Sequence, residues 1–165
     1  MSESRYNVLF VCTGNSARSI LAEALMNELG RAKGFHAFSA GSQPRGEVNA
    51  WALHTLADHR LPTQGYRSKS WEEFARPDAP SLHFVFTVCD QAAGEVCPVW
   101  PGQPMTAHWG MPDPAAVHGS DAEIQKAFLD AFVTLHRRIQ LLLSLPLASL
   151  DLLAIKREIR DIGTK

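Results

Sequence analysis

Apolar positions along the chain follow two different periods. Asn7 to Val11 reads Asn-Val-Leu-Phe-Val, a short apolar run typical of a strand buried on both faces. It runs into Cys12-Thr13-Gly14-Asn15-Ser16, a loop-like cluster. A helical pattern follows, with Leu21, Ala24, Leu25 and Leu29 on one face and Gly30 as its expected stop. Phe35 to Ser39 predicts a second strand, Asn49 to Asp58 a helix, and Leu82 to Val88 a strongly apolar third strand. Pro98 to Pro114, rich in proline and glycine, predicts loop. Ser120-Asp121-Ala122-Glu123 has the form of a capping box and opens a long amphipathic helix through Phe128, Phe132, Leu135 and Ile139 to about Leu143. Pro146 breaks the chain. Leu152, Ile155, Ile159 and Ile162 then mark a last helix, with Gly163 as expected stop.

Strands alternating with helices predict an α/β fold: a single-domain open parallel sheet with helices on both faces. We expect residues 1–165 to form one domain, with 146–165 as a C-terminal helical extension. Sixteen basic and seventeen acidic residues nearly cancel, which gives no reason to expect nucleic acid or a membrane surface as partner. Any anion site must therefore be local. The polar start is no secretory signal and no apolar run is long enough to span a bilayer, so a cytoplasmic location is expected. Three cysteines, Cys12, Cys89 and Cys97, do not suit a secreted disulfide framework.

The stretch from Cys12 to Ser19 carries the chemistry. It places Cys, five residues, then Arg between a strand and a helix. A loop there can curl its backbone N–H groups inward as an anion nest, and the helix start adds positive potential. Thr13, Gly14, Asn15, Ser16, Ala17, Arg18 and Ser19 are the expected oxyanion-binding residues, with Arg18 offering a planar fork to two oxygens. In such a field Cys12 is expected to have a lowered pKa and to act as a thiolate nucleophile. Gly14 and Asn15 tolerate the unusual backbone angles of the turn, and the Ser19 hydroxyl is expected within reach of the Cys12 sulfur. On their own, Cys89 and Cys97 are equally readable as small buried residues. A zinc site is disfavoured because no histidine stands at ligand spacing from them.

These residues resemble the low-molecular-weight protein tyrosine phosphatase superfamily. Val11 to Ser16 with Arg18-Ser19 matches its phosphate loop, Ser39-Ala40-Gly41 a second landmark, and Asp113-Pro114 the late pair that supplies a general acid. The resemblance runs from Asn7 to roughly Leu143. Within the superfamily, Ala115-Ala116 replaces the aromatic residues usual after that pair in the phosphatases. Cys89 and Cys97 are similar to the extra cysteines of the thioredoxin-linked arsenate reductases, as is His108-Trp109-Gly110 ahead of Asp113.

The reductase resemblance implies a relay. Cys12 attacks arsenate held by Arg18 and the loop, Asp113 protonates the departing oxygen, Cys89 attacks Cys12, and Cys97 takes the disulfide over. Seven residues separate Cys89 from Cys97, and residues 90 to 97 are expected to rearrange on oxidation. Phosphate or sulfate would compete with arsenate, and thioredoxin or glutaredoxin with glutathione would supply electrons. No cofactor is expected. Two alternatives stand beside this reading: phosphomonoester hydrolysis by Cys12, Arg18 and Asp113, and a non-enzymatic redox sensor. Asp113 also has a bland role open to it, capping a turn before Pro114. Some members of the reductase branch bind potassium, and Asn15, Glu23 and Ser39 match their ligands. Lys69 falls on the fourth position, where an ammonium cannot ligate a cation, so no metal is expected there.

Overall fold

The computed structural model describes residues 6–89, 100 and 102–165. Four strands, β1 (Tyr6–Cys12), β2 (Phe35–Gly41), β3 (Phe84–Thr87) and β4 (Met105–His108), form one parallel sheet in the order β2-β1-β3-β4. The described residues include four α-helices: α1 (Arg18–Gly30), α2 (Ala50–Asp58), α3 (Asp121–Leu143) and α4 (Leu152–Ile162). The open parallel α/β architecture is the one the apolar pattern predicts. None of these helices is long and apolar enough to cross a membrane.

β1 is central because its residues from Val8 to Val11 are apolar and buried on both faces. β2 lies on one side of it and β3 on the other, so the winding reverses at the carboxyl end of β1. Such a switch point leaves a crevice beyond the strand ends. Cys12, the last residue of β1, stands at that crevice.

Each face of the sheet has its own cover. Asn27 of α1 accepts from the Ala37 N–H at 2.8 Å and donates to its carbonyl at 3.1 Å, anchoring the helix to edge strand β2. Phe10, Phe86 and Trp109 stack beneath α3, with Phe86 and Trp109 centroids 3.9 Å apart. On the opposite face Phe38 meets Phe74, which belongs to the short 3-10 helix Trp71–Phe74.

One expectation needs correction. The stretch Pro98 to Pro114 is not all loop: Met105–His108 pairs in register with Phe84–Thr87. Its four residues are alternately half-buried and exposed, so they carry too little apolar signal to announce a strand. Gly30 is the last residue of α1, as expected; a 3-10 turn follows to Lys33, and Gly34, at φ +83°, makes the turn into β2. Gly30 also permits close packing, since a Cβ there would lie 2.8 Å from that of Phe35. Gly163 ends α4 as expected, though in ordinary right-handed geometry. It is small because a Cβ would sit 2.3 Å from the His108 carbonyl oxygen.

The expected capping box is present, and a second N-cap joins it. Asn49 accepts from Trp51 N–H at the start of α2, and Ser120 with Glu123 forms the reciprocal box that opens α3. α4 packs against the β4 edge through buried Ile155, Ile159 and Ile162. The Trp109 indole N–H donates to the Ile159 carbonyl at 2.8 Å, which ties this last helix to the core.

Candidate active site

Between β1 and α1 the chain turns through Thr13 to Ala17, and its carbonyls are drawn outward. The oxygens of Thr13, Gly14 and Ser16 accept from the N–H groups of Gln43, Arg45 and Asn49 at 2.9, 3.0 and 2.8 Å. Carbonyls held on the outside leave the loop amides for the inside. α1 starts at Arg18 with no side-chain cap, so its first N–H groups also remain available to an anion. The segment after β2 must approach closely to hold the loop. A Cβ on Gly41 would lie 2.5 Å from the Thr13 oxygen and 2.8 Å from that of Cys12.

Asn15 alone in the loop adopts the left-handed region, at φ +46°. Its side chain is fully buried, accepting from Lys69 N–H at 2.8 Å and donating to Ser19 Oγ at 2.8 Å. Asn15 and Ser19 therefore brace the loop from behind. Gly14 does not use a positive φ, contrary to expectation; its lack of a side chain lets Arg45 lie across it, 3.2 Å from where a Cβ would be.

Inside the loop is a cavity of about 660 Å³. Cys12, Thr13, Gly14, Ser16, Ala17 and Arg18 line it from β1 and α1, and Cys89 from the end of β3. Met111, Pro112, Asp113 and Ala115 form the facing wall. Arg18 spans the two sides, donating to the Met111 carbonyl at 2.9 Å and lying 3.6 Å from Asp113 Oδ2. The structure shows the capping role expected of Asp113: Oδ1 accepts from Ala115 N–H at 2.9 Å at the start of the turn Pro114–Ala116, while Oδ2 faces Arg18.

The Cys89 thiol lies in hydrogen-bonding contact with Cys12 and takes the Thr13 N–H at 3.3 Å. Cys12 is buried, and its thiol is raised rather than lowered. The Cys89 contact is the largest cause and loss of solvent the next; Arg18 and the Gly14 N–H pull the other way. The expected lowering took account of the loop and Arg18 but not of a second sulfur against the first. Cys97, and the expected rearrangement of residues 90 to 97, lie outside the described residues.

Behind the loop, Asn15, Glu23, Ser39 and Lys69 do converge. Ser39 donates to Glu23 Oε1 at 2.5 Å, and the Lys69 ammonium lies 4.0 Å from the same oxygen. Burial raises the Glu23 carboxyl and lowers the Lys69 ammonium, each partly offset by the other's charge. The residues do not fit a cation, because the position facing Glu23 is itself cationic. Gln43 and Arg45 are cavity residues that the sequence reading missed. Their signal was their place just after the Ser39-Ala40-Gly41 landmark.

A strand-to-helix loop with a cysteine at its base, an arginine at its rim and a facing aspartate defines the class: a doubly wound α/β fold with a cysteine-centred cavity whose lining suits an oxyanion. The sequence profile of the low molecular weight phosphotyrosine protein phosphatase family matches residues 7–151. The arsenate reductase of Halalkalibacterium halodurans is 33% identical over 117 residues, 70% of this chain and 79% of that protein. Among solved structures, an arsenate reductase in a phosphate-binding state superposes with a TM-score of 0.65 at 23% identity, covering 84% of this chain and 97% of that one. The thioredoxin-dependent arsenate reductase of Corynebacterium glutamicum superposes with a TM-score of 0.57 at 23% identity, covering 86% of this chain and 65% of that one. The chain belongs to the low molecular weight phosphotyrosine protein phosphatase family.

Proposed function

We propose that the protein is an arsenate reductase that transfers two electrons through Cys12, Cys89 and Cys97. The observation that carries this reading is the Cys89 thiol resting against Cys12 in the anion cavity. Hydrolysis of a phosphomonoester needs a nucleophile, a cradle and a proton donor, and has no use for a second sulfur there. The H. halodurans relative, named for arsenate reduction, supports the same choice.

The cradle amides and Arg18 bind arsenate, with phosphate or sulfate as competitors of like shape and charge. The Cys12 thiolate forms a bond to arsenic as an oxygen leaves as water, its proton supplied by Asp113. Cys89 then attacks the Cys12 sulfur. The sulfur–arsenic bond breaks, its electron pair stays on arsenic, and arsenite departs from a Cys12–Cys89 disulfide. Attack of Cys97 on Cys89 frees Cys12 and leaves a Cys89–Cys97 disulfide. An external dithiol, thioredoxin or a glutaredoxin with glutathione, returns both thiols. The raised Cys12 thiol fits a relay in which Cys89 releases its hold as the anion enters. We assign residues 1–165 to one domain with 146–165 as its helical extension, and place the protein in the cytoplasm.

A single turnover tests the proposal. Fully reduced protein mixed with arsenate, without reductant, is expected to yield a stoichiometric amount of arsenite and a Cys89–Cys97 disulfide by peptide mapping. Hydrolysis of an aryl phosphate with no arsenite formed would overturn it in favour of the phosphatase reading.

A further inference from the structure

α4 begins at Leu152, just past the last residue matched by the family profile, and its two sides differ. Ile155, Ile159 and Ile162 are buried. Leu153, Lys156, Arg157 and Arg160, at helical spacing of three, four and seven, form one exposed stripe. The acidic residues Glu158 and Asp161 are off this stripe, and none of its three cations pairs with a carboxylate of the described residues. The stripe is one wall of a groove of about 970 Å³. The sheet side of the groove includes Val85, Thr87 and Trp100.

That position bears on the thiols. Thr87 precedes Cys89 by two residues, and Trp100 follows Cys97 by three. Described residues on either side of the exchanging cysteines in sequence, Thr87 and Trp100, thus line the cationic groove. Leu153, 75% exposed, adds apolar surface to the groove. Cations around an apolar edge suit a protein surface that carries carboxylates around an apolar contact, and opposite charge speeds encounter of the two.

We propose that the Leu153–Arg160 stripe of α4, with its groove, is the docking surface for the reductant, and that this reductant is an acidic-faced dithiol protein. The inference rests on the arsenate reductase reading. In the exchange the partner thiolate attacks the Cys89–Cys97 disulfide and forms a mixed disulfide. The partner's second thiol then displaces it, so both electrons and both protons of the dithiol end on Cys89 and Cys97 while the partner leaves oxidised.

The test compares wild type with the combined variant Lys156→Glu, Arg157→Glu, Arg160→Glu, and with the milder Lys156→Gln, Arg157→Gln, Arg160→Gln. Arsenate turnover is driven by thioredoxin with its reductase, or by dithiothreitol, a small neutral dithiol. With the charge-reversed variant, kcat/KM for thioredoxin is expected to fall at least tenfold, and with the glutamine variant by less. Dithiothreitol-driven turnover should stay at the wild-type level in both, which also certifies the fold. Added salt should depress the wild-type kcat/KM and leave the glutamine variant nearly flat. Unchanged thioredoxin kinetics in both variants would overturn the docking surface. Wild type served by glutathione with glutaredoxin and not by thioredoxin would overturn the choice of partner. Absence of dithiothreitol-driven arsenite formation in wild type would instead sink the reductase reading.

Discussion

Cys12 stands between opposed influences. The loop amides and Arg18 favour its thiolate; the Cys89 sulfur and burial favour its thiol, and the latter prevail. A thiol raised above its usual range is protonated at neutral pH, so its reactivity grows as pH rises. Replacing Cys89 removes the largest cause of the shift. In Cys89→Ala, the pH midpoint of Cys12 alkylation by iodoacetamide should move to lower pH, and thiolate absorbance at 240 nm should move with it. An unchanged midpoint would show that the contact has no electrostatic consequence. The residues Cys12 to Ser19 could be read from sequence because a Cys, Arg and glycine-bearing turn at one spacing has few other uses. The Cys12–Cys89 contact was implied only by the family resemblance, not by any local pattern. It depends on β1 and β3 being neighbours, and pairing between strands more than seventy residues apart leaves no local pattern. Gly41 was recognised as part of a landmark, but its reason is steric. Gly41→Ala should cost about 1–3 kcal/mol through overpacking, read by urea unfolding, and should weaken phosphate binding because the displaced atoms are loop carbonyls.

Among the elements, the segment between β4 and Asp113 is fixed by a device that periodicity does not reveal. Arg138 is buried on α3 and donates to the carbonyls of Trp109 and Gly110 at 2.7 and 3.2 Å. In the heptad-like pattern of α3 an arginine on the apolar side looks like an interruption. In the fold it supplies donors to two carbonyls of the turn after β4. Arg138→Met keeps the bulk and removes the donors. It should cost about 1–3 kcal/mol in denaturant unfolding and lower kcat more than substrate affinity, since Asp113 follows the loosened turn. Loss of stability with unaltered kcat would separate Arg138 from the site. Behind the cradle, the Lys69 ammonium lies 4.0 Å from Glu23 Oε1, and we expect it to stand in for a bound cation. Exchanging sodium for potassium should therefore leave activity unchanged; a clear rise with potassium would mean that Lys69 does not fill this role.

At the scale of the whole molecule, the alternation of strands and helices was legible, and so was the order of chemistry along the chain. The edge strand β4 was not, because a short, half-exposed strand gains its stability from its neighbour rather than from its own residues. The final helix was legible as amphipathic, while its partner, the β4 edge and Trp109, was invisible until the sheet was complete. Deleting residues 152–165 removes three buried isoleucines, each worth about 1.5–3 kcal/mol, and the acceptor of the Trp109 N–H. The shortened protein should unfold at markedly lower urea concentration with a changed tryptophan fluorescence. Equal stability would mean that α4 is an appendage rather than part of the core.

The most direct test of the three-thiol account is NADPH consumption with arsenate, thioredoxin and thioredoxin reductase, for wild type, Cys89→Ala and Cys97→Ser. The account predicts sustained turnover in wild type and none in either variant, with aryl phosphate hydrolysis, where present, surviving in both. Sustained arsenate turnover in Cys97→Ser would contradict it and leave Cys12 and Cys89 as the whole redox path.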